Sequence, residues 1–251
     1  ASKASDFYTG HILYADGGYR QGDPMADLSN ITVLGAGLMG HGIALTFARA
    51  GHDVRVYDPV AESLATLHDR VRASLEALGC GADETQAALE RIKAVPDLAT
   101  SVSEADVVFE AAPEKPDLKR QLFRDVEQAA PKSCLFASNT SVIPITTIMQ
   151  DLEDKTRAVG THWWNPPHMI PLVEVIRTEW TSDEAFQEVY DLLAAVGKQL
   201  RKLHHAAQDV RIAVDFLACR QHFVPAFVEY CLVKRLSFFS CVGLSAPQMP
   251  L

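Results

Sequence analysis

The chain has 251 residues, of which 48% are hydrophobic, and it carries a formal net charge of −9 with an isoelectric point near 5.4. That much apolar material can fill a globular core. The negative charge argues against nucleic acid or an anionic membrane as a partner, because both would repel the chain. No run is long enough to span a membrane, and because no basic and then apolar start is present we expect no signal peptide. Five cysteines without a CxxC pair favour a reducing compartment, so we expect a cytoplasmic protein.

Three glycines follow the first predicted strand, 31–34, in the segment NITVLGAGLMGHGIA. Gly35 would permit a tight turn, and Gly37 would let a pyrophosphate approach the backbone. Gly40 would let the next predicted helix, 38–50, pack closely on the strand. The N-terminus of this helix would then face the anion. A glycine pattern alone is weak, but the strand before it and the helix after it are typical of a dinucleotide-binding turn.

The second predicted strand, 53–57, ends at Asp58, eighteen residues after Gly40. An acid at this spacing can hydrogen-bond an adenosine ribose and would repel a 2′-phosphate, which favours NAD over NADP. Arg55 could in principle receive that phosphate. We expect it to point away, because it lies three residues back on a strand whose side chains alternate between faces.

Helices and strands alternate along the rest of the apolar pattern. It predicts helices at 60–78, 83–91, 117–130 and 183–196, and strands at 92–95, 106–110, 133–137, 157–161 and 172–176. This order indicates an α/β fold with a Rossmann-type, doubly wound, mostly parallel sheet. In such a sheet the carboxyl ends of the strands form the rim of the ligand crevice. Polar residues at these ends are Glu114, Lys119 and the cluster 138–141, although the cluster equally fits a capped turn.

A histidine and a glutamate flank a proline-rich turn in the segment AVGTHWWNPPHMIPLVEVI. Glu174 lies twelve positions after His162, and the prolines between them cannot continue a ladder or a helix. We therefore expect two neighbouring strands that bring these side chains together. A carboxylate on one imidazole nitrogen would leave the other nitrogen to exchange a proton with substrate. A structural ion pair at the end of a sheet is the alternative interpretation.

Two other residues of reactive type are interpreted as non-catalytic. Cys134 lies within an apolar strand and is expected in the core. His168 follows His162 by six positions, but no third ligand lies near it in sequence, so no metal site is predicted.

Together these segments resemble the NAD-binding domain of the L-3-hydroxyacyl-CoA dehydrogenase family. The segments GAGLMGHGIA, EAAPE followed by Lys119, SNTS and HWWNPPHMIPLVEV occur in the order and spacing of that family over about residues 30–198. The resemblance implies fatty acid metabolism, with reversible oxidation of an L-3-hydroxyacyl thioester by NAD. It implies His162 as the catalytic acid/base, Glu174 as its partner and Ser141 as a contact of substrate and nicotinamide. The residues implied to hold the dinucleotide are Gly35, Gly37, Met39, Gly40, Asp58, Glu114, Lys119 and Asn165.

The resemblance defines a domain at 29–203 and leaves two segments outside it. Residues 1–28 form an extra segment that begins like the C-terminal tail of a short-chain dehydrogenase, YADGGY, without the catalytic Tyr/Lys pair of that family. Residues 204–251 stand where the resembled family has an all-helical domain of roughly a hundred residues. A truncated or frame-shifted gene would give this pattern. We expect one or two helices with an exposed apolar surface that could join copies of the chain into a homo-oligomer.

Three functions stay open at this point. The first is an NAD-dependent 3-hydroxyacyl-CoA dehydrogenase acting on an acyl-CoA. The second is a dehydrogenase of a small free 3-hydroxy acid such as L-gulonate or carnitine, because NPP followed by PLVEV is also similar to the lambda-crystallin and gulonate dehydrogenase branch. The third is a non-catalytic dinucleotide-binding remnant, favoured by the altered C-terminal segment. For the same reason we expect ordinary NAD affinity but a low kcat, since a crevice open on one side positions substrate poorly.

Overall fold

A computed structural model describes residues 29–204, which build one eight-stranded sheet with helices on both faces. The strands are β1 (Asn30–Leu34), β2 (Asp53–Tyr57), β3 (Ile92–Val95), β4 (Val107–Glu110), β5 (Leu135–Ser138), β6 (Ala158–Trp163), β7 (Leu172–Arg177) and β8 (Gln199–His204). The helices are α1 (Leu38–Arg49), α2 (Ala61–Ala65), α3 (Leu67–Ala77), α4 (Ala82–Glu90), α5 (Leu98–Val102), α6 (Pro116–Ala129), α7 (Ile145–Ile148) and α8 (Asp183–Ala195). A 3-10 turn, Lys155–Arg157, precedes β6.

The strands lie in the order β3-β2-β1-β4-β5-β6-β7-β8. All neighbouring pairs are parallel except β6 and β7, which are antiparallel. The predicted doubly wound, mostly parallel sheet is therefore confirmed. Because the strand order reverses between β1 and β4, the crevice at the carboxyl ends of these strands is where such sheets bind ligands.

Central strands of this sheet are buried throughout because helices cover both of their faces. Every residue of β4 and β5 is buried, as expected for parallel strands between two helical layers. One core cluster includes Ile43 and Phe47 of α1, and a second includes Phe123 of α6. Cys134 lies in the second cluster, as predicted, and burial raises the pKa of its thiol to about 12.

The helix predicted at 60–78 is wrong as one element, because the structure divides it at Thr66 into α2 and α3. Thr66 has φ −94° and ψ 2°, and its hydroxyl donates to the Glu62 carbonyl. Two short helices, α5 and α7, and strand β8 had no predicted counterpart. β8 pairs with β7 over six residues and ends at His204.

No helix among residues 29–204 combines the length and apolarity needed to cross a bilayer. The predictions made for residues 1–28 and for the helices beyond His204 lie outside the described residues.

Candidate active site

The glycine turn joins β1 to α1 and is shaped by close backbone contacts. Gly35 has φ +104°, which favours glycine, and a Cβ there would lie 2.7 Å from the Ala111 carbonyl oxygen. A Cβ on Gly40 would lie 1.7 Å from the Gly35 carbonyl oxygen. A Cβ on Gly37 would meet no atom within 4 Å, so the turn is open at this residue. Two glycines are therefore required by packing, and the third leaves room for a ligand.

The N-terminus of α1 has the features of an anion site. Its N-cap residue, Gly37, provides no side-chain cap, and the first turn contains no acidic residue. Met39 lies in this first turn and packs partly against the core. Arg70 of α3 donates to the carbonyls of Ala36 and Gly37 on the other side of the turn. Backbone N–H groups, the helix dipole and a nearby guanidinium together suit a pyrophosphate.

Asp58 follows β2 and holds the glycine turn through the backbone. Its Oδ2 accepts from the Ala36 N–H and its Oδ1 from the Val60 N–H, both at 2.8 Å. It lines an open cavity of about 370 Å³ with apolar walls, formed by Pro59, Ala61, Leu64, Ala65, Ala94 and Pro96. Arg55 contacts Glu104 and the Thr100 carbonyl instead of Asp58, so it points away as predicted. An acid beside an apolar cavity fits the adenosine half of NAD.

Lys119 is buried at the start of α6 and lies between two carboxylates. Its Nζ is 2.6 Å from Glu110 Oε1, 3.1 Å from the Ala112 carbonyl and 3.3 Å from Glu114 Oε2. Glu110 is completely buried and Lys119 is 1% exposed. The three protons of the ammonium group thus have three acceptors in the protein. Lys119 would therefore affect a bound cofactor indirectly, above all by holding Glu114 in place.

Glu114 organises the loop that follows β5. Its Oε1 accepts from Thr140 Oγ1 at 2.5 Å and from the N–H groups of Ser141 and Val142. Burial of part of the side chain would raise the pKa of Glu114, but these hydrogen bonds and the Lys119 charge hold it below its ordinary value. The loop is thereby fixed with Ser141 at the surface.

Asn139 ties the same loop to the next strand. Its Oδ1 accepts from the Trp163 N–H at 2.8 Å, and its own N–H donates to the Glu110 carbonyl. The cluster 138–141 is therefore more than a capped turn, because it connects β4, β5 and β6 at the edge where their carboxyl ends lie.

His162 and Glu174 face each other across β6 and β7, as the proline-rich turn predicts. They are register partners, and His162 Nδ1 lies 2.8 Å from Glu174 Oε2. Each side chain is only 10% exposed. An ionised carboxylate can only accept, so Nδ1 of the neutral ring carries the proton and Nε2 has the lone pair. The Trp164 ring lies against the imidazole, with 5.2 Å between ring centroids.

The turn between β6 and β7 is anchored at both sides. Lys198 Nζ donates to the carbonyls of Pro167 and Ile170 at 2.6 and 3.1 Å, and burial lowers the pKa of this lysine to about 8. Gly42 of α1 faces the turn so closely that a Cβ there would lie 2.9 Å from His168 Nδ1. Asn165 lies in this turn and is partly buried. The turn therefore links α1 to the His162 strand.

The sequence analysis gave no role to three residues of this site, namely Glu110, Asn139 and Arg70. Glu110 could have been found as a carboxylate at the end of an apolar strand. Asn139 lies in the predicted cluster but had no assigned role. Arg70 lies in a helix without any motif, and only the folded structure brings it to the glycine turn. Among residues 29–204, no group of three His, Cys, Asp or Glu side chains could hold a metal ion.

Comparison with known proteins gives a consistent set of relatives. The family model described as the 3-hydroxyacyl-CoA dehydrogenase NAD binding domain matches residues 30–204. A probable 3-hydroxyacyl-CoA dehydrogenase of Caenorhabditis elegans is 37% identical over 183 residues, which cover 69% of this chain and 59% of the relative. A 5-formyl-3-hydroxy-2-methylpyridine 4-carboxylate 5-dehydrogenase of Mesorhizobium japonicum is 35% identical over 173 residues, which cover 68% of this chain and 55% of that protein.

A solved structure agrees with these matches. The crystal structure of 3-hydroxybutyryl-CoA dehydrogenase from Escherichia coli superposes with a TM-score of 0.69 at 33% identity, over 71% of this chain and 39% of that one. The chain thus spans less than two thirds of the length of the curated relatives it matches.

Gly40 is crowded and Gly37 is open, so substitutions at these two glycines should affect stability and NADH binding separately. Gly40→Ala should cost more than about 3 kcal/mol of unfolding free energy, because its Cβ would overlap the Gly35 carbonyl. Gly37→Ala should change the unfolding free energy by less than about 1 kcal/mol but abolish NADH binding, because its Cβ fills the open side of the turn. Urea unfolding and NADH calorimetry measure the two effects. Normal NADH affinity of Gly37→Ala would show that the dinucleotide does not use this turn.

Asp58 should set the choice between the two nicotinamide cofactors. Asp58→Asn keeps one of the two oxygens that accept from the backbone and removes the charge that repels a 2′-phosphate, so the preference for NADH over NADPH should fall about tenfold. Asp53→Asn is the matched control, since it removes the same charge from the other end of β2. Fluorescence titration with both cofactors measures the ratio. An unchanged ratio in Asp58→Asn would refute this role.

Proposed function

The chain belongs to the 3-hydroxyacyl-CoA dehydrogenase family, and on that premise we propose that it catalyses reversible oxidation of an L-3-hydroxyacyl-CoA to the 3-ketoacyl-CoA with NAD. The observation that supports this proposal most is the buried His162–Glu174 pair, which lies at the same sheet edge as the glycine turn and the 138–141 loop. NAD is the cofactor of the matched domain. The proposal extends its chemistry to this chain.

Each protein group has a defined task in this proposal. The glycine turn, Met39, Asp58, Glu114 and Asn165 hold the dinucleotide, and Lys119 holds Glu114. The hydride acceptor of the reaction is the nicotinamide of NAD. His162 Nε2 takes the hydroxyl proton of the substrate as the carbonyl forms, and it returns the proton in the reverse direction. Glu174 balances the imidazolium charge at this stage.

Ser141 has a separate task, because it contacts the substrate rather than the imidazole. Its N–H is held by Glu114 at 3.0 Å, which leaves its side chain at the surface of the site. A hydroxyl there can donate to the substrate oxygen that gains charge when the ketone is reduced.

A second candidate is a dehydrogenase of a free 3-hydroxy acid of the L-gulonate or carnitine type. The turn sequence NPPHMIPLVEV favours it. The Mesorhizobium japonicum relative is named as a dehydrogenase of a pyridine carboxylate, which is not a thioester.

One set of assays separates these functions. NADH affinity is measured by calorimetry, and turnover is then followed at 340 nm with acetoacetyl-CoA and NADH, and with L-gulonate and NAD. Oxidation of NADH by acetoacetyl-CoA supports the thioester proposal. Turnover of L-gulonate alone supports the second candidate. NADH binding without any turnover supports a non-catalytic role.

We also propose a place in fatty acid metabolism, a cytoplasmic location and a homo-oligomer. Cys80 and Cys134 are both free thiols, which agrees with a reducing compartment. The homo-oligomer is proposed from the apolar sequence beyond His204. Light scattering of the purified full chain measures its oligomeric state.

A further inference from the structure

Three side chains stand in line across β6, β7 and β8. The register pairs His162 with Glu174, and it pairs Glu174 with Arg201. Residues paired on neighbouring strands project from the same face of a sheet. Arg201 therefore lies on the far side of Glu174 from His162.

The two oxygens of the Glu174 carboxylate face different neighbours. Oε2 lies 2.8 Å from His162 Nδ1, and Oε1 lies 3.9 Å from Arg201 Nη1. Among the described residues, His162 on β6 and Arg201 on β8 are the titratable and charged groups that face this carboxylate from the adjacent strands. Arg201 thus approaches the oxygen that the imidazole does not use.

Burial makes this neighbour important. The Glu174 side chain is 10% exposed, and a buried carboxylate is costly unless a positive charge or hydrogen bonds balance it. Before proton transfer the imidazole is neutral and gives Glu174 one hydrogen bond but no charge. Arg201 supplies a fixed positive charge on the other side. At 3.9 Å this guanidinium acts through its charge and not through a direct hydrogen bond.

We propose that Arg201 is a positioning residue for the His162–Glu174 pair. This inference rests on the proposed function, because it assigns a partner to the same catalytic pair. Arg201 attracts Oε1 of the Glu174 carboxylate toward β8, so that Oε2 stays on His162 Nδ1. The imidazole is then held in the tautomer whose Nε2 accepts the substrate proton. Strand β8 thus contributes to the reaction without a contact to substrate.

The test compares three variants of the full chain. Arg201→Met removes the charge and keeps a long side chain, whereas Arg201→Lys restores the charge. Lys202→Met is the matched control, because it removes the same charge from the next residue of β8, where the lysine lies 4.3 Å from the Tyr190 ring centroid. Adjacent residues of a strand point to opposite faces, so this control leaves Glu174 untouched.

The first readout is the ¹⁵N spectrum of the His162 imidazole in histidine-labelled protein, which distinguishes the two tautomers. The parent chain, Arg201→Lys and Lys202→Met should each show one tautomer, with the proton on Nδ1. Arg201→Met should show a mixture. The second readout is turnover. In Arg201→Met, kcat should fall about tenfold with KM within about twofold, as expected for partial loss of an oriented acid/base.

The pH dependence of kcat is a third readout, and a purely structural role of Arg201 would not shift it. A cation favours the deprotonated form of both the carboxyl group and the imidazole. Its removal in Arg201→Met should therefore move the profile to higher pH, and Arg201→Lys should move it back.

The outcomes of the two proposals are distinguishable. The role of Arg201 would be overturned if Arg201→Met showed a single His162 tautomer and the parental spectrum. It would also be overturned if Lys202→Met showed the same tautomer mixture as Arg201→Met. The spectrum requires no turnover, so it decides this point even for a chain that reduces no substrate. Failure of the proposed function would appear instead as no oxidation of NADH by acetoacetyl-CoA in the parent chain.

Discussion

Replacing His162 by glutamine is expected to lower kcat by about 10²–10⁴-fold while NADH affinity changes little. Glutamine fills a similar volume but cannot take up the substrate proton. The cofactor groups assigned above, such as the glycine turn and Asp58, do not depend on the imidazole. Steady-state turnover and NADH calorimetry on the same preparations measure the two quantities. His68→Gln, in α3, is the control for loss of a histidine outside the site.

The companion change, Glu174→Gln, should lower kcat less and move the pH profile in a defined direction. The amide still accepts from Nδ1, so the ring stays in place, but the negative charge that stabilises the imidazolium is lost. The profile should then move to lower pH, opposite to the movement expected for Arg201→Met. Parental activity in both His162→Gln and Glu174→Gln would show that the pair is only a structural ion pair.

The His162–Glu174 contact could be predicted because local sequence constrains it strongly. The prolines between the two residues exclude a continued strand or helix, and apolar runs on both sides require two strands. The Rossmann-type order was predictable for a similar reason. A glycine turn between an apolar strand and a helix, followed by an acid after the second strand, leaves few alternatives.

Elements whose stability depends on distant partners could not be predicted in this way. Strand β8 reads QLRKLH and carries three basic residues, so its composition resembles that of a loop. Pairing with β7 over its whole length makes it a strand, and Leu200 and Leu203 pack on different core clusters. Helices α5 and α7 have five and four residues, too few for a periodic pattern to be recognised.

Side-chain networks were the least predictable part of the candidate site. Glu110 and Lys119 are nine positions apart, and neither motif nor spacing indicates that they form a buried pair. Asp58 was predicted as a ribose contact, but its hydrogen bonds to the backbone of the glycine turn appear only when β1 and β2 lie side by side. Residues of this kind are placed by the fold before they can act on a ligand.

Lys119→Met is expected to destabilise the domain by about 3–5 kcal/mol, the usual result of removing one partner from a buried ion pair. Glu110 would keep hydrogen bonds from the Ala112 N–H and from Ser138, but its buried charge would lose the cation at 2.6 Å. Urea unfolding followed by tryptophan fluorescence measures this loss. Arg49→Met is the control, because it breaks an ion pair with Glu84 at the surface and should have a much smaller effect.

The double variant Glu110→Gln/Lys119→Met distinguishes charge imbalance from lost packing. If the unbalanced carboxylate causes the loss, removing both charges should recover a large part of the stability that Lys119→Met alone loses. A double variant as unstable as the single one would show that the cost lies in packing. Cofactor affinity should not recover with stability, since Lys119 also contacts Glu114, and Glu114 holds the N–H groups of Ser141 and Val142. NADH titration of a stable double variant would therefore separate the part of this network that supports the fold from the part that shapes the site.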